Sequence, residues 1–585
     1  MATKFEDEGR VRAAGPMRPA LQGTRHMVSA GHYLAAHAGF EILEAGGNAV
    51  DAGVAGGLVL GVVQSELVNI AGVAPIMIYL AEAREVVTIS GLGVWPKALQ
   101  PDLFQREHDG AIPESILRTV VPAAPDAWIT ALARYGTMRF GEVARAAIRF
   151  AADGFVMHPL MAKLISENAD GYRRWPANAA IYLPGGQPPA VGDRFVQADL
   201  ARTLQYMADE ERAAANGDRE AALAVARDAF YKGDIAREIV RYHEANGGLM
   251  RAEDLAEYRS AVEPPVSTRF RGTDVYACGP WCQGPALPQA LNILDGIDLE
   301  GLGHNSPAYI HALTETMKLV FADRHAHIGD PRFVEVPLDG LLSEAYAAER
   351  RALIRDNEAW PDMPPAGDPS RGAAIAAATA PVEARDEPAT ALDTSYIAVV
   401  DSDGNAFSAT PSDTSHNGPV VPGTGLCPST RGSQSWTDPA HPSSAAPGKR
   451  PRLTPNPAIA VRDGEYVMPF GTPGGDVQIQ AMVQTFLNLE VFAMEAQTAV
   501  EAPRFATASF PNSFEPHNHY PGRLMLEGSI AEETGDALAA LGHEVQWWPA
   551  GDYKAGAMCL VKSDMASGIY QGAADFRRAC YAVGW

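Results

Sequence analysis

Thr394-Ser395 stands where a polar, proline-rich tract gives way to an apolar run, "SYIAVV". A threonine hydroxyl is a weak nucleophile unless a base lies beside it. One arrangement supplies that base without a second side chain. If the peptide bond before Thr394 is cut, the new α-amine has a pKa of about 8, suited to accept a proton at neutral pH. The segment that follows decides what the hydroxyl faces. "SYIAVV" is apolar on both faces, as a strand covered on both sides is, "DSDGN" supplies a turn, and "AFSAT" returns as a second strand. With Ser402-Asp403-Gly404 as the loop, Thr394 lies opposite Ser412, whereas a two-residue loop moves the partner to Asp413. Either register sets a polar side chain against the hydroxyl. The plainer alternative is a threonine that begins a strand because β-branched residues suit strands.

Other residues offer less chemistry. The five cysteines, Cys278, Cys282, Cys427, Cys559 and Cys580, are odd in number and fit a reducing compartment without a disulfide framework. Cys278 and Cys282 are four apart with no second pair at zinc spacing, so no metal site is expected. His325 and His327 lie two apart in a helical run. Positions two apart do not share a helix face, so a structural or surface role is expected for both. "GTPGGD" and "AGGNAVDAG" lack the Gly-Lys-Ser/Thr ending of a phosphate-binding loop. No cofactor is expected.

The elements that must position Thr394 are legible as patterns. "HYLAAHAGFEILEAGG" has helical spacing and stops at Gly46-Gly47. Asn48 can cap the next helix, with Asp51 at its third position, where a carboxylate faces the positive end of the helix dipole. "APIMIYLA" and "EVVTISG" read as strands, and from about Pro122 to Ala261 the pattern is helical. A further helical run spans Ser306–Asp330. The tract Pro361–Thr390 is rich in Pro, Ala, Gly and charge, the signature of an exposed, mobile segment, and on composition alone it reads as an interdomain linker.

The chain has 585 residues, enough for two to four domain-sized units, with an ordinary globular balance of 46% hydrophobic and 20% charged residues. Its 47 Lys and Arg against 71 Asp and Glu leave a formal charge of −24, which disfavours nucleic acid or an anionic membrane as a partner. The amino terminus carries charges where a signal peptide would need an apolar run, and "AVDAGVAGGLVLGVV" is too short to span a bilayer. A soluble, cytoplasmic protein is expected.

Several fragments in order resemble the γ-glutamyltransferase family of N-terminal-nucleophile hydrolases, over roughly residues 25–585: "GGNAVDA", the block "LPQALNILDGIDLEGLGHNSPAYIHALTETMKLVFADR", "GDPRFVEVPL", "DTSYIAVVDSDGNAFSAT", "VVPGTGL", "PFGTPGGD" and "EAPRF". The resemblance implies an αββα sandwich of mixed α/β class, formed by two fragments of one precursor. Thr394 would attack the carbonyl carbon of Asp393 to give an ester that water cleaves, leaving a large fragment, 1–393, with a mobile tract at about 361–393, and a small one, 394–585. Thr394 would then carry an acyl-enzyme, released by water or by an amine acceptor. By the same resemblance Gly474 and Gly475 would offer N–H groups to the oxyanion, and Ser412 would hydrogen-bond the nucleophile. The partners implied are a small-molecule amide and the chain's own other fragment, as a heterodimer that can pair into a heterotetramer.

The positions that contact substrate in the family fall on Leu92, Thr414, Arg431, Gln434 and Thr454, and several depart from its pattern. Leu92 stands where a cation would grip the substrate's α-carboxylate. Arg431 and Gln434 stand near the pair that holds the α-amine, and Leu453-Thr454 replaces a serine pair. A cation at Arg431 would repel an ammonium and attract a carboxylate, unless it pairs with a protein carboxylate instead. The catalytic parts are kept while the γ-glutamyl grip is lost, so the sequence favours an amidohydrolase acting on a small, carboxylate-bearing amide. A true γ-glutamyltransferase cleaving glutathione is the alternative within the family. An uncut, non-catalytic scaffold or binding protein of the same fold is the alternative outside it.

Overall fold

The computed structural model describes residues 16–214, 218–370 and 394–585. The segment after Thr394 forms the strands Ile397–Val400 and Ala406–Ala409, paired antiparallel with Ile397 opposite Ala409 and Val400 opposite Ala406. This is the register of the three-residue loop. Continued outward, it sets Thr394 against Ser412.

The hairpin lies at the centre of a seven-stranded sheet. Its strands run in the order Tyr581–Gly584, Met27–Ala30, Ile397–Val400, Ala406–Ala409, Ile76–Leu80, Glu85–Ile89 and Val262–Glu263. A second seven-stranded sheet orders Leu21–Gly23, Ile569–Ala574, Cys559–Asp564, Tyr466–Gly471, Ala458–Arg462, Thr273–Ala277 and Val266–Phe270. Every pairing in both is antiparallel. Each sheet takes strands from both sides of the 393/394 junction. Two fragments made by a cut there cannot be separate domains, because each completes the other's sheets.

Side-chain alternation separates the layers. Ile397 and Val399 join the apolar core shared with the helices Tyr33–Glu44 and Ala49–Val63. Tyr396, Ala398 and Val400 turn to the layer between the sheets, beside Met77, Ile459, Val467 and Val561. The second sheet is covered on its far face by the helices Ala286–Leu294, Pro307–His327 and Val477–Glu490. The result is helix, sheet, sheet, helix, with apolar residues on both faces of each sheet, as "SYIAVV" implies.

The helix Ala49–Val63 begins as expected. Asn48 accepts from the N–H of Val50 and Asp51, and Asp51 accepts in return from the N–H of Asn48. Asp51 also receives the Thr137 and Met138 N–H groups and the Thr137 hydroxyl, so one buried carboxylate ties two segments together. The helix then lies directly on the hairpin. A Cβ at Gly53 would come within 2.1 Å of the Phe407 ring, and one at Gly56 within 2.2 Å of Ile397 Cδ1. Only glycine permits that approach.

Residues 371–393, including most of the proline-rich tract and Asp393, lie outside the described residues. The start of the tract is anchored, where composition alone suggests mobility from residue 361. The Gly367 N–H donates to Asp323 at 2.9 Å, and Arg350 donates to the Pro365 carbonyl at 3.0 Å. Backbone groups do this holding, which a scarcity of large apolar side chains does not reveal. His327 meets the Gly367 carbonyl at 3.0 Å, while the His325 ring packs edge-on against Trp436. Both histidines are structural.

Candidate active site

Thr394 is fully buried at the entrance to its strand, with φ at 92°, a value that side-chain-bearing residues rarely adopt. Its N–H donates to the Leu67 carbonyl at 2.9 Å, and the Asp413 N–H donates to the same oxygen at 3.2 Å. Its carbonyl accepts from Arg578 at 3.3 Å. Its hydroxyl lies 2.5 Å from that of Ser412. Ser412 is itself fixed by two backbone hydrogen bonds with Val73, of 3.0 and 3.2 Å. Ser395, on the other face of the strand, packs onto Gly31, where a Cβ would lie 2.0 Å from its hydroxyl. The strand's alternation therefore presents Thr394, not Ser395, to Ser412.

Arg431 donates to the Ser412 hydroxyl oxygen. Its Nε is 3.7 Å from the Asp413 carboxylate, and the guanidinium lies over the Phe514 ring at 5.5 Å. Of the two roles the sequence leaves open, the structure shows the pairing with a protein carboxylate. Asp413 is also fastened by the hydroxyls of Ser429 at 2.6 Å and Thr430 at 2.7 Å. Arg431 is 1% exposed, so its charge is directed at Ser412 and Asp413 and not at solvent.

The remaining expected residues join by one chain of contacts. Arg431 opens the short turn Arg431–Gln434, and Gln434 donates to the Thr454 hydroxyl at 2.8 Å. Gln283 donates to the Thr454 carbonyl at 2.7 Å and to the Gly475 carbonyl at 3.2 Å. The Gln283 amide oxygen accepts from Arg324 at 2.7 Å, and Arg324 also pairs with Asp476. Burial would raise the Asp476 carboxyl, but Arg324 and Ser513 more than offset it and hold it below its usual range. Gly474 and Gly475 take φ of 128° and 56°. Both values lie where glycine is at ease and a residue with a side chain is strained, so the turn depends on this pair.

Thr414 is buried on the loop beside Asp413, its carbonyl 4.0 Å from Cys427 Sγ. Leu92, the other expected substrate contact, lies apart from this chain of contacts. It packs in the apolar layer between the sheets, and its carbonyl accepts from Tyr258 at 3.0 Å. Its apolar side chain is taken up by core packing. Sequence reasoning missed Gln283, Arg324, Arg578 and Glu66. Only Glu66 carried a local signal, as the one charged residue between Asp51 and Glu82.

Cys278 and Cys282 are buried free thiols, and Cys282 accepts from the Gly284 N–H at 3.1 Å. One cluster of metal-ligating type occurs among the described residues, His311, Glu315 and His543. Its two imidazoles already meet at 2.9 Å, and Lys318 pairs with Glu315 at 2.8 Å. The Glu315 carboxylate thus already has a cationic partner.

A sandwich of two antiparallel sheets between helices, with a threonine hydroxyl at the head of a central strand, is the fold of N-terminal-nucleophile hydrolases. Residues 35–585 match the gamma-glutamyltranspeptidase family model, and the chain belongs to that family. It is 35% identical to the acylase ACY 1 proenzyme of Pseudomonas sp. strain V22 over 538 residues, covering 89% of this chain and 88% of that one. It is 31% identical to the glutathione hydrolase-like YwrD proenzyme of Bacillus subtilis strain 168, covering 97% of this chain and 100% of that one. The crystal structure of cephalosporin acylase from Bacillus halodurans superposes with a TM-score of 0.84 at 26% identity, over 98% of each chain.

Proposed function

We propose that the protein cuts its own chain between Asp393 and Thr394 and then hydrolyses a small, carboxylate-bearing amide through an ester on Thr394. The observation that carries this reading is the 2.5 Å contact of Thr394 Oγ1 with Ser412 Oγ. Arg431 donates to that same serine oxygen. A hydroxyl that accepts from a guanidinium keeps its own proton for another acceptor, here Oγ1. Such a chain steadies the negative charge that gathers on the nucleophile during attack.

In maturation Oγ1 bonds to the Asp393 carbonyl carbon, the C–N bond breaks, and the threonine nitrogen takes the hydroxyl proton. Water then hydrolyses the ester and releases the carboxyl end of 1–393. In turnover the freed α-amine takes the Oγ1 proton as Oγ1 attacks the amide, and returns it to the leaving amine. Water, or an amine acceptor, removes the acyl group. Gly474 and Gly475 supply N–H groups to the tetrahedral oxyanion, donors of a kind that each contribute about 3–4 kcal/mol.

The relatives named as acylase and glutathione hydrolase-like proenzymes support a self-processing amide hydrolase. The second of those names also favours a γ-glutamyl substrate, the alternative reading. Against it stands Leu92, in the core where the family's cation would be. We also place the enzyme in the cytoplasm as a heterodimer of its own fragments, which five buried free thiols and the shared sheets support.

Mass spectrometry of the purified protein tests the first half. Fragments of about 42 and 20 kDa are expected from the 62.3 kDa chain, and Thr394→Ala stays whole and inactive. An unbroken chain that turns over amides would refute the mechanism. Equal turnover of γ-glutamyl-p-nitroanilide and of carboxylate-bearing anilides without the α-amine would refute the substrate.

A further inference from the structure

Glu66 precedes the residue whose carbonyl receives the Thr394 N–H. Its carboxyl is buried, and neither oxygen has a hydrogen-bond partner from any other described residue. A buried acid without a partner is costly, and it persists where another gain offsets the cost. Glu66 and Leu67 both line a cavity of about 360 Å³. The cavity is therefore bordered by the residue whose carbonyl holds the Thr394 backbone.

The charges around this cavity come from four elements. Lys163 and Glu167 belong to the helix Pro159–Glu167, and Asp552 and Lys554 to the loop at Tyr553. His416 follows the Ser412 segment. Arg578, which donates to the Thr394 carbonyl, also acts on the charge of Glu66. Burial pushes the Glu66 carboxyl up to about 8 and the His416 imidazole down to about 4, so at neutral pH the acid is protonated and the ring uncharged. Among the lining residues Lys163 and Lys554 are matched by Glu167 and Asp552, Lys163 lying 3.9 Å from Glu167, so the excess positive charge comes from Arg578 beside Glu66, itself a hydrogen-bond donor. An ammonium group would find that charge against it.

We propose that this cavity receives the substrate's carboxylate, and that Glu66 donates the hydrogen bond that selects it. The inference rests on the reading of the chain as a carboxylate-directed amidohydrolase. It supplies the grip that Leu92 and the internally paired Arg431 do not. Glu66 is a specificity residue here and takes no part in bond making at Thr394. Once Glu66 ionises it repels the substrate's carboxylate, so KM for a carboxylate-bearing amide rises with pH while KM for an uncharged analogue does not.

The test uses processed enzyme and mono-p-nitroanilides of straight-chain dicarboxylic acids, each paired with its methyl ester. The ester controls for titration of the Thr394 α-amine, which changes both members alike. For wild type the expected ratio of kcat/KM, acid over ester, is about tenfold or more near pH 6.5 and falls toward unity by about pH 9.5, the change residing in KM. Glu66→Gln, whose amide donates but does not ionise, is expected to keep the preference at the higher pH. A wild-type ratio that is near unity throughout, or high but independent of pH, overturns the proposal, as does a Glu66→Gln ratio that declines like that of wild type. If Glu66→Gln does not fold, the wild-type pH series alone decides. Protein that is uncut, or that hydrolyses neither member of any pair, overturns the parent reading, a result distinct from hydrolysis without the preference.

Discussion

Ser412→Ala isolates the contact on which the proposed chemistry turns. The substitution removes one oxygen that serves two neighbours, Thr394 Oγ1 at 2.5 Å and the Arg431 guanidinium. The two losses fall in different places. Arg431 is 1% exposed, and losing a hydrogen bond to a charged group costs roughly 1.5–3 kcal/mol of folding stability. The Asp413 carboxylate, 3.7 Å from Nε, limits that loss because it still faces the charge. The contact with Thr394 enters the barrier. A neutral hydrogen bond of about 1 kcal/mol in the ground state grows toward 2–3 kcal/mol as Oγ1 becomes anionic. The difference of about 1–2 kcal/mol corresponds to a roughly 5- to 30-fold lower kcat. KM should change little, because Ser412 touches the nucleophile and not the expected substrate. The cutting half-time, followed on denaturing gels, should lengthen by a similar factor, since the same oxygen attacks in both reactions. Ser412→Thr restores the hydroxyl and should recover most of both rates. Wild-type cutting and turnover in Ser412→Ala would refute the reasoning, whatever the change in melting temperature.

Three further outcomes follow from the geometry. Gly474→Ala should cost about 1–3 kcal/mol and Gly475→Ala about 1 kcal/mol, because φ of 128° lies outside the left-handed helical region and 56° lies inside it. Thermal unfolding ranks the pair, and both should lower kcat. Glu66→Gln should stabilise the uncut Thr394→Ala chain at alkaline pH. The Glu66 carboxyl rises from 4.5 to about 8 on folding, so the folded state holds a proton that the unfolded state releases, and wild-type stability falls as pH climbs between those values. The gain should reach about 4–5 kcal/mol above pH 8 and vanish near pH 4, read by denaturant unfolding. Asp51→Ala should cost about 3 kcal/mol or more, since it strands the N–H groups of Asn48, Thr137 and Met138 at once.

What the sequence discloses here is whatever is local. The hairpin is short enough that its turn residues narrow its register to two, and counting outward from Gly404 reaches Ser412 or Asp413 before the structure selects Ser412. The Asn48 cap and the helix it starts are legible for the same reason. The partners across the sheet are not. Ile397–Val400 pairs with Met27–Ala30, more than 360 positions earlier, and that strand pairs in turn with Tyr581–Gly584 at the other end of the chain. A four-residue strand such as "MVSA" carries no period that distinguishes it. Arg431 shows the same limit within the site. Its type and position suggest a ligand for an anion, and only the fold shows that Asp413 is already that anion. Gln283, in the turn before the helix Ala286–Leu294, and Arg324, on the helix Pro307–His327, order the Gly475 turn from afar, and nothing in their neighbourhoods marks them for it.

The torsion at Thr394 gives maturation a direction. A φ angle exists only while an acyl group precedes the nitrogen, and here that angle is held at 92° by a fully packed surround. Holding a β-branched residue there stores roughly 1–3 kcal/mol. Once the bond is severed the angle has no meaning, and no rearrangement of the mature hairpin can charge it again. The precursor is in this sense a cocked spring that fires once: the energy leaves with the bond, and rejoining the two ends would mean winding it anew.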